Sequence, residues 1–367
     1  MKIKNIKLDV FEWKGTPWKT NYRNIFGQNV NLSVLSIETD EGITGNSFLG
    51  SSKVGSEHHN KNLINFAKHL LIGQNPQNIN LIWNNLWKMN RSLTLNSIAS
   101  IDIALWDING KISNQPIHRI LGSEKEKVPV YSSTPFHEDI KDYVNEALLF
   151  KSKGWTAHKI HPHGDPHRDI EICIAIREAV GEDMKLMLDS MCAYNYEEAL
   201  MVGKAIEKLN FYWYEDPLVE EDIYNYKKLM NRLDIPIVST EFIPGRLFSI
   251  PEWIREKSTN IVRGDVVAMG GITPLYKLTN IAESFRLKCE IHSGSSNSMD
   301  NVANLHVIMA SSNCEFYEFF PSTGENRYGL VDEIEFINGY VNAPSNPGLG
   351  FEINWKELKK TYIGSIE

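Results

Sequence analysis

Cysteine is scarce in this chain. Four cysteines, Cys173, Cys192, Cys289 and Cys314, are spread through 367 residues, and no CxxC spacing occurs. That pattern excludes a disulfide-stapled scaffold and a zinc ribbon. Long apolar runs are missing too: no window approaches the roughly 18–20 consecutive apolar residues of a membrane span. The opening segment MKIKNIKLDVFEW alternates polar and apolar residues like a strand and shows no continuous apolar h-region. Basic charge is in deficit, 38 Lys and Arg against 46 Asp and Glu, for a net charge of −8. No basic run appears, so nucleic acid is not an expected partner, and neither is a membrane. What remains is ordinary globular composition, 42% hydrophobic and 23% charged. The expectation is a soluble, reduced, cytoplasmic protein with a core of useful size.

Three textures follow one another along the chain. Residues 1–124 open with strand-like segments at 3–13, 31–40 and 43–49, with an EGITG hairpin turn, and continue with helical periodicity. Strands first and helices after predict a segregated α+β domain. Two polar loops, 15–28 and 50–60, have the length of lids. Residues 125–325 carry eight short apolar runs, from VPVYSS through TAHKIH, KLMLDSM, FYWYED, IPIVSTEF, GDVVAMG and KCEIHS to CEFYEFF. Amphipathic stretches separate them, which predicts a (β/α)-barrel. An open doubly wound sheet is the competitor, but no GxGxxG follows the first strand. Residues 326–367 return to alternating, strand-like texture.

Seven polar residues recur through the barrel region: His161, Asp189, Glu215, Glu241, Asp265, His292 and Glu318. Their intervals are 28, 26, 26, 24, 27 and 26 residues, each about one strand, one helix and two loops. Each therefore falls at or near the C-terminal end of a strand, and those ends converge on one mouth. Three carboxylates on successive strands, Asp189, Glu215 and Glu241, cannot all stay ionised in that mouth unaided. A divalent cation removes the repulsion, and all-oxygen ligation suits a hard ion such as Mg²⁺, one per site. Asp216 follows Glu215 directly, so strand alternation turns it away, as loop support or a helix cap.

Alternation also puts Lys159 and His161 on one inward face. An ammonium beside an imidazole favours the neutral ring, which is a competent general base; the pair also suits an anionic substrate. His158 points outward and His163 lies in a loop. One repeat apart, Asp265 and His292 form a second acid/base, the carboxylate fixing the tautomer of the ring. Glu318 ends the last strand and is placed to hydrogen-bond a substrate carboxylate. A hard cation flanked by two basic groups is a device for removing the weakly acidic proton α to a carboxylate.

At this point the chain resembles the enolase superfamily, in its mandelate racemase/muconate lactonizing enzyme branch. SIASIDIALWDINGK (97–111) is similar to the family's signature helix at the end of the capping domain, RGDVVAMGGIT (263–273) to the sixth-strand signature, and PGLG (347–350) also fits. The resemblance implies a (β/α)₇β TIM-type barrel with an α+β capping domain built from residues 1–124 and the tail 326–367. It implies metal ligation by Asp189, Glu215 and Glu241, an Asp265–His292 dyad, and Glu318 on the substrate carboxylate. Lys159 and His161 occupy the second-strand motif, which in much of the family is Lys-x-Lys. Met191 stands where Asn is common, and GDVVAMGG lacks the lysine some subgroups place on the sixth strand. The dyad points instead to dehydratases of aldonic or aldaric acids, with racemisation or epimerisation of a 2-hydroxy acid as the alternative through the same enediolate. The capping loops would close over a sugar-acid substrate, with Trp18, Tyr22, Arg23, His58 and His59 as candidate contacts. Aromatics such as Trp83, Trp87 and Tyr362 make a homo-oligomer the expected assembly.

Overall fold

A computed structural model describes residues 1–14, 18–19, 24–25, 29–133, 135–293, 296–321 and 326–367, with backbone alone at 18–19 and 24–25. Three long strands form the first sheet: β1 (Ile3–Lys14), β2 (Asn29–Thr39) and β3 (Thr44–Leu49). They pair antiparallel in chain order. One face of the sheet, including Ile6, Leu8, Leu35 and Ile37, packs on helices α1 (Glu57–Leu71), α2 (Ile79–Trp87) and α3 (Leu95–Ser113). The residues are there because they alternate in the strands and recur every three or four positions in the helices.

The barrel strands are β4 (Lys127–Ser133), β5 (Ala157–Ile160), β6 (Lys185–Asp189), β7 (Trp213–Glu215), β8 (Ile237–Ser239), β9 (Ile261–Gly264), β10 (Lys288–Ile291) and β11 (Tyr317–Phe319). Each of β4 to β9 pairs in parallel with the next, and β11 returns to pair in parallel with β4. Helices between them, such as α4 (Ile140–Ser152) and α5 (Pro166–Val180), pack outside. The last strand, β12 (Tyr362–Ile366), leaves the barrel and pairs antiparallel with β1, so the tail completes the capping sheet. The fold is the (β/α)₇β barrel with its two-part cap. No helix among the described residues is long and apolar enough to cross a membrane.

The signature segments turn out to be where cap and barrel meet. Asp102 on α3 accepts from the Thr273 N–H (2.9 Å) and hydroxyl (2.6 Å), and Trp106 Nε1 donates to the same hydroxyl at 2.9 Å. Trp83 Nε1 donates to Gly270 O at 2.8 Å, so this tryptophan is spent inside the chain rather than on a subunit interface. Tyr362 is half exposed. The tail's PGLG latches onto the end of α3: Gly348, at φ +72°, receives Ile117 N–H on its carbonyl, and Leu349 N–H donates to Asp107 Oδ1 at 3.0 Å. A Cβ on Gly110 would lie 2.4 Å from the Gly348 Cα. Gly110→Ala, which by helix propensity alone gains about 1 kcal/mol, is expected to lose about 1–3 kcal/mol here by overpacking. Urea denaturation of the two chains checks it; an unchanged midpoint would refute the tight contact.

Candidate active site

The barrel interior is built in layers, and the period of two residues sets their contents. A lower apolar layer contains Ala157, Met187, Trp213, Ile261 and Phe316. Two residues further along each strand comes a charged layer: Lys159, Asp189, Glu215, Arg263 and Glu318. All five are buried. Lys159 Nζ lies 3.1 Å from Asp189, 2.8 Å from Glu215 and 2.8 Å from Glu318. Arg263 reaches Glu215 at 2.9 Å, Glu241 at 3.1 Å and Glu318 at 2.6 Å. Trp213 Nε1 donates to the other Glu215 oxygen at 3.0 Å.

These cations decide the protonation of the layer. Burial alone would push the Asp189 and Glu318 carboxyls up, but Lys159 holds both well below the usual carboxylate range, helped by His161 and Arg263 at Asp189 and by Arg263 and His292 at Glu318. Burial pulls Glu215 up to about 7 against the pull of Arg263 and Lys159. With cations at 2.8 and 2.9 Å, we take it as ionised.

Above the charged layer, His161 Nε2 lies 3.0 Å from Asp189 Oδ2. His292 Nδ1 lies 2.8 Å from Asp265 Oδ2, and Asp265 Oδ1 accepts the Ala268 N–H at 2.6 Å. Burial would lower the His292 pKa, yet Glu241, the bond to Asp265 and Glu318 together raise it to about 9. The two histidines stand one residue past the ends of the second and seventh barrel strands, at the rim of one cavity of about 300 Å³. Lys53, Asp189, Met191, Cys192, Asp216, Glu220, Glu241, Phe242, Glu318 and Phe320 complete its lining. A larger cleft, about 530 Å³ beside Asn46, Lys111 and Trp355, has no such convergence of charge.

The donor set fits a hard cation. Oxygens of Asp189, Glu215 and Asp216 lie within 4.8 Å of one another, as do ligand atoms of Glu241, Asp265 and His292. Five carboxylates, Asp189, Glu215, Glu241, Asp265 and Glu318, face two fixed cations, Lys159 and Arg263, which leaves negative charge for a dication to offset. Asp216 Oδ1 and Glu220 Oε1 are buried with no hydrogen-bond partner. Burial and the charge of neighbouring carboxylates, Glu220 first for Asp216 and Glu241 for Glu220, push Asp216 well above the usual range and Glu220 up to about 8.

Asp216 corrects the alternation argument: it was expected to turn away from the mouth and instead lines the cavity. Its φ is +41°, so the strand pattern ends at Glu215 and the next residue is swung inward. Met191, Cys192 and Thr240 also have positive φ beside the cavity. Such strain clusters where a site over-determines the backbone. The capping contacts fare differently. Tyr22, Arg23 and the Trp18 side chain lie outside the described residues. His58 is exposed on the first turn of α1 and is not among the lining residues, and His59 Nδ1 lies 3.0 Å from Thr94 Oγ1. The lid-length loop is shorter than expected because α1 begins at Glu57; it delivers Lys53 instead. Arg263 was also missed, although it stands two residues before Asp265 just as Lys159 stands two before His161.

Comparison with known proteins bears on this geometry. Residues 142–357 match the enolase C-terminal domain-like family, and residues 6–122 match the mandelate racemase / muconate lactonizing enzyme N-terminal domain. An arabinonate dehydratase of Saccharolobus solfataricus is 31% identical over 296 residues, 78% of this chain and 79% of that protein. A D-galactarolactone cycloisomerase of Agrobacterium fabrum is 27% identical over 96% of this chain and 97% of its own length. The crystal structure of D-glucarate dehydratase from Agrobacterium tumefaciens, complexed with magnesium, superposes with a TM-score of 0.90 at 29% identity, covering 99% of this chain and all of that one.

Proposed function

The chain belongs to the enolase superfamily, in its mandelate racemase/muconate lactonizing enzyme branch, and on that footing we propose that it is a Mg²⁺-dependent dehydratase of an aldonic or aldaric acid. The observation that carries the reading is the pair of histidines at one rim, one against Asp189 and one against Asp265, above a layer of buried carboxylates. Asp189, Glu215 and Glu241 would hold the ion, with Asp216 as a neighbouring oxygen donor. When bound, Mg²⁺ supplies positive charge beside the substrate carboxylate, where negative charge develops as the α-proton leaves.

The chain's own groups do the rest. Lys159, held in place by its 2.8 Å ion pair with Glu318, orients the substrate carboxylate at the charged layer. His161 accepts the α-proton as general base. His292, with its pKa near 9, is protonated at neutral pH and donates that proton to the departing 3-hydroxyl. Water leaves, and the resulting enol becomes a 2-keto-3-deoxy acid. Asp265 keeps the His292 ring oriented by its 2.8 Å bond to Nδ1.

The test is a screen of the purified protein with Mg²⁺ against aldonic and aldaric acids in D₂O. A 2-keto product from one acid is the expected result. Deuterium at Cα without keto product would replace this reading by racemisation or epimerisation; neither signal would refute both. Independently, Mg²⁺ at 100-fold its Kd is expected to add about 2.7 kcal/mol of stability, seen as a higher calorimetric midpoint. Glu241→Gln should remove most of that gain; an equal gain in the variant would exclude Glu241 as a ligand.

A further inference from the structure

We infer that the substrate is a diacid, and that Lys53 holds its second carboxylate. The inference rests on the acid-sugar reading above and narrows it. Carboxyl groups line the inner wall of the cavity: Asp189, Asp216, Glu220, Glu241 and Glu318. Among the described lining residues Lys53 is the one lysine or arginine, because Lys159 and Arg263 lie in the layer beneath.

Lys53 comes from the opposite side, the segment joining β3 to α1, and that segment is pinned. Ser51 Oγ accepts the N–H groups of Lys53 (3.3 Å) and Val54 (3.0 Å). Ser56 N–H donates to Asn31 O at 2.7 Å, and Asn297 on the barrel donates to Gly50 O at 2.9 Å. The Lys53 ammonium stands 5.4 Å from the centre of the Phe320 ring, and that ring lies 6.0 Å from the His161 ring. A positive charge is thus set one aromatic ring beyond the base.

A six-carbon acid with bonds of ~1.5 Å spans roughly 6 Å between its terminal carbons. With one carboxylate at the charged layer and its α-carbon at His161, its far end reaches the Lys53 side. An aldonate would put a neutral hydroxymethyl group there. An aldarate would put a carboxylate there, which a point-charge ammonium matches better.

The experiment compares kcat/KM for aldarates and the aldonates of matching configuration. The parent enzyme is expected to favour the diacid. In Lys53→Met the diacid-to-monoacid ratio should fall about 50-fold, carried mainly in KM, with Lys53→Arg keeping part of it. Circular dichroism confirms that both variants fold. A parent that prefers the monoacid, or a ratio unmoved by Lys53→Met, overturns the inference while leaving the dehydratase reading intact. Turnover of neither acid removes both.

Discussion

Asparagine in place of His292 is expected to lower kcat by about 10³-fold, within the range usual for loss of a positioned acid or base, while the fold persists. His292 is the dyad member at the cavity rim, and no other described group near it combines a cavity position with a pKa raised to about 9. Single-turnover product formation with the acid found in the screen is the measurement; a loss of less than tenfold would remove His292 from the chemistry. Stability gives a second readout. Since the folded-state pKa is raised above the ordinary value near 6.5, the fold favours the protonated ring. The stability this contributes is complete below about pH 6.5 and is lost as pH rises through about 9. In EDTA, the parent should therefore exceed the Asn variant by most at pH 6 and by little at pH 9.5. A gap that does not change with pH would mean that His292 is not charged in the fold.

Arg263→Met should be the most damaging single change in the barrel. The guanidinium is fully buried and serves Glu215, Glu241 and Glu318 at once. Methionine fills a similar volume but leaves Glu215 and Glu318 to Lys159 and Glu241 to His292 at 3.4 Å. Removing one partner from a buried ion pair costs about 3–5 kcal/mol, because the remaining charge stays desolvated. Urea denaturation should show a loss of that size. Adding Glu318→Gln to the Met variant should restore part of it, since one uncompensated charge is then gone. A Met variant as stable as the parent would show that the layer carries less negative charge than the geometry implies.

The repeat of the barrel was legible because strand, helix and loops have a nearly fixed combined length. That spacing alone picked out His161, Asp189, Glu215, Glu241, Asp265, His292 and Glu318, and the structure brings all of them to one end of the barrel. Arg263 was equally accessible to the same logic, through the inward period of two that links Lys159 to His161. It lies two residues before the strand-end repeat, so the spacing that marks the rim does not mark it. Asp216 was not accessible, since a single residue in left-handed conformation breaks alternation and aspartate is common in both conformations. The loops of the cap obey no period at all. Their contacts depend on where the chain is pinned, and the Ser51 turn that fixes Lys53 shows no sign in hydrophobic pattern.

The pairing of β1 with β12 has a consequence for biosynthesis. Leu8 is opposite Ile366, so one edge of β1 finds its neighbour only after synthesis has passed residue 366. At roughly 5–20 residues per second on the ribosome, that edge waits about 20–70 seconds with its backbone groups bare. A bare strand edge is a template for pairing between nascent chains. The barrel helices and strands can form in that interval; the cap cannot finish before them. Expression yield, more than equilibrium stability, is where a defect in the last six residues would first be felt.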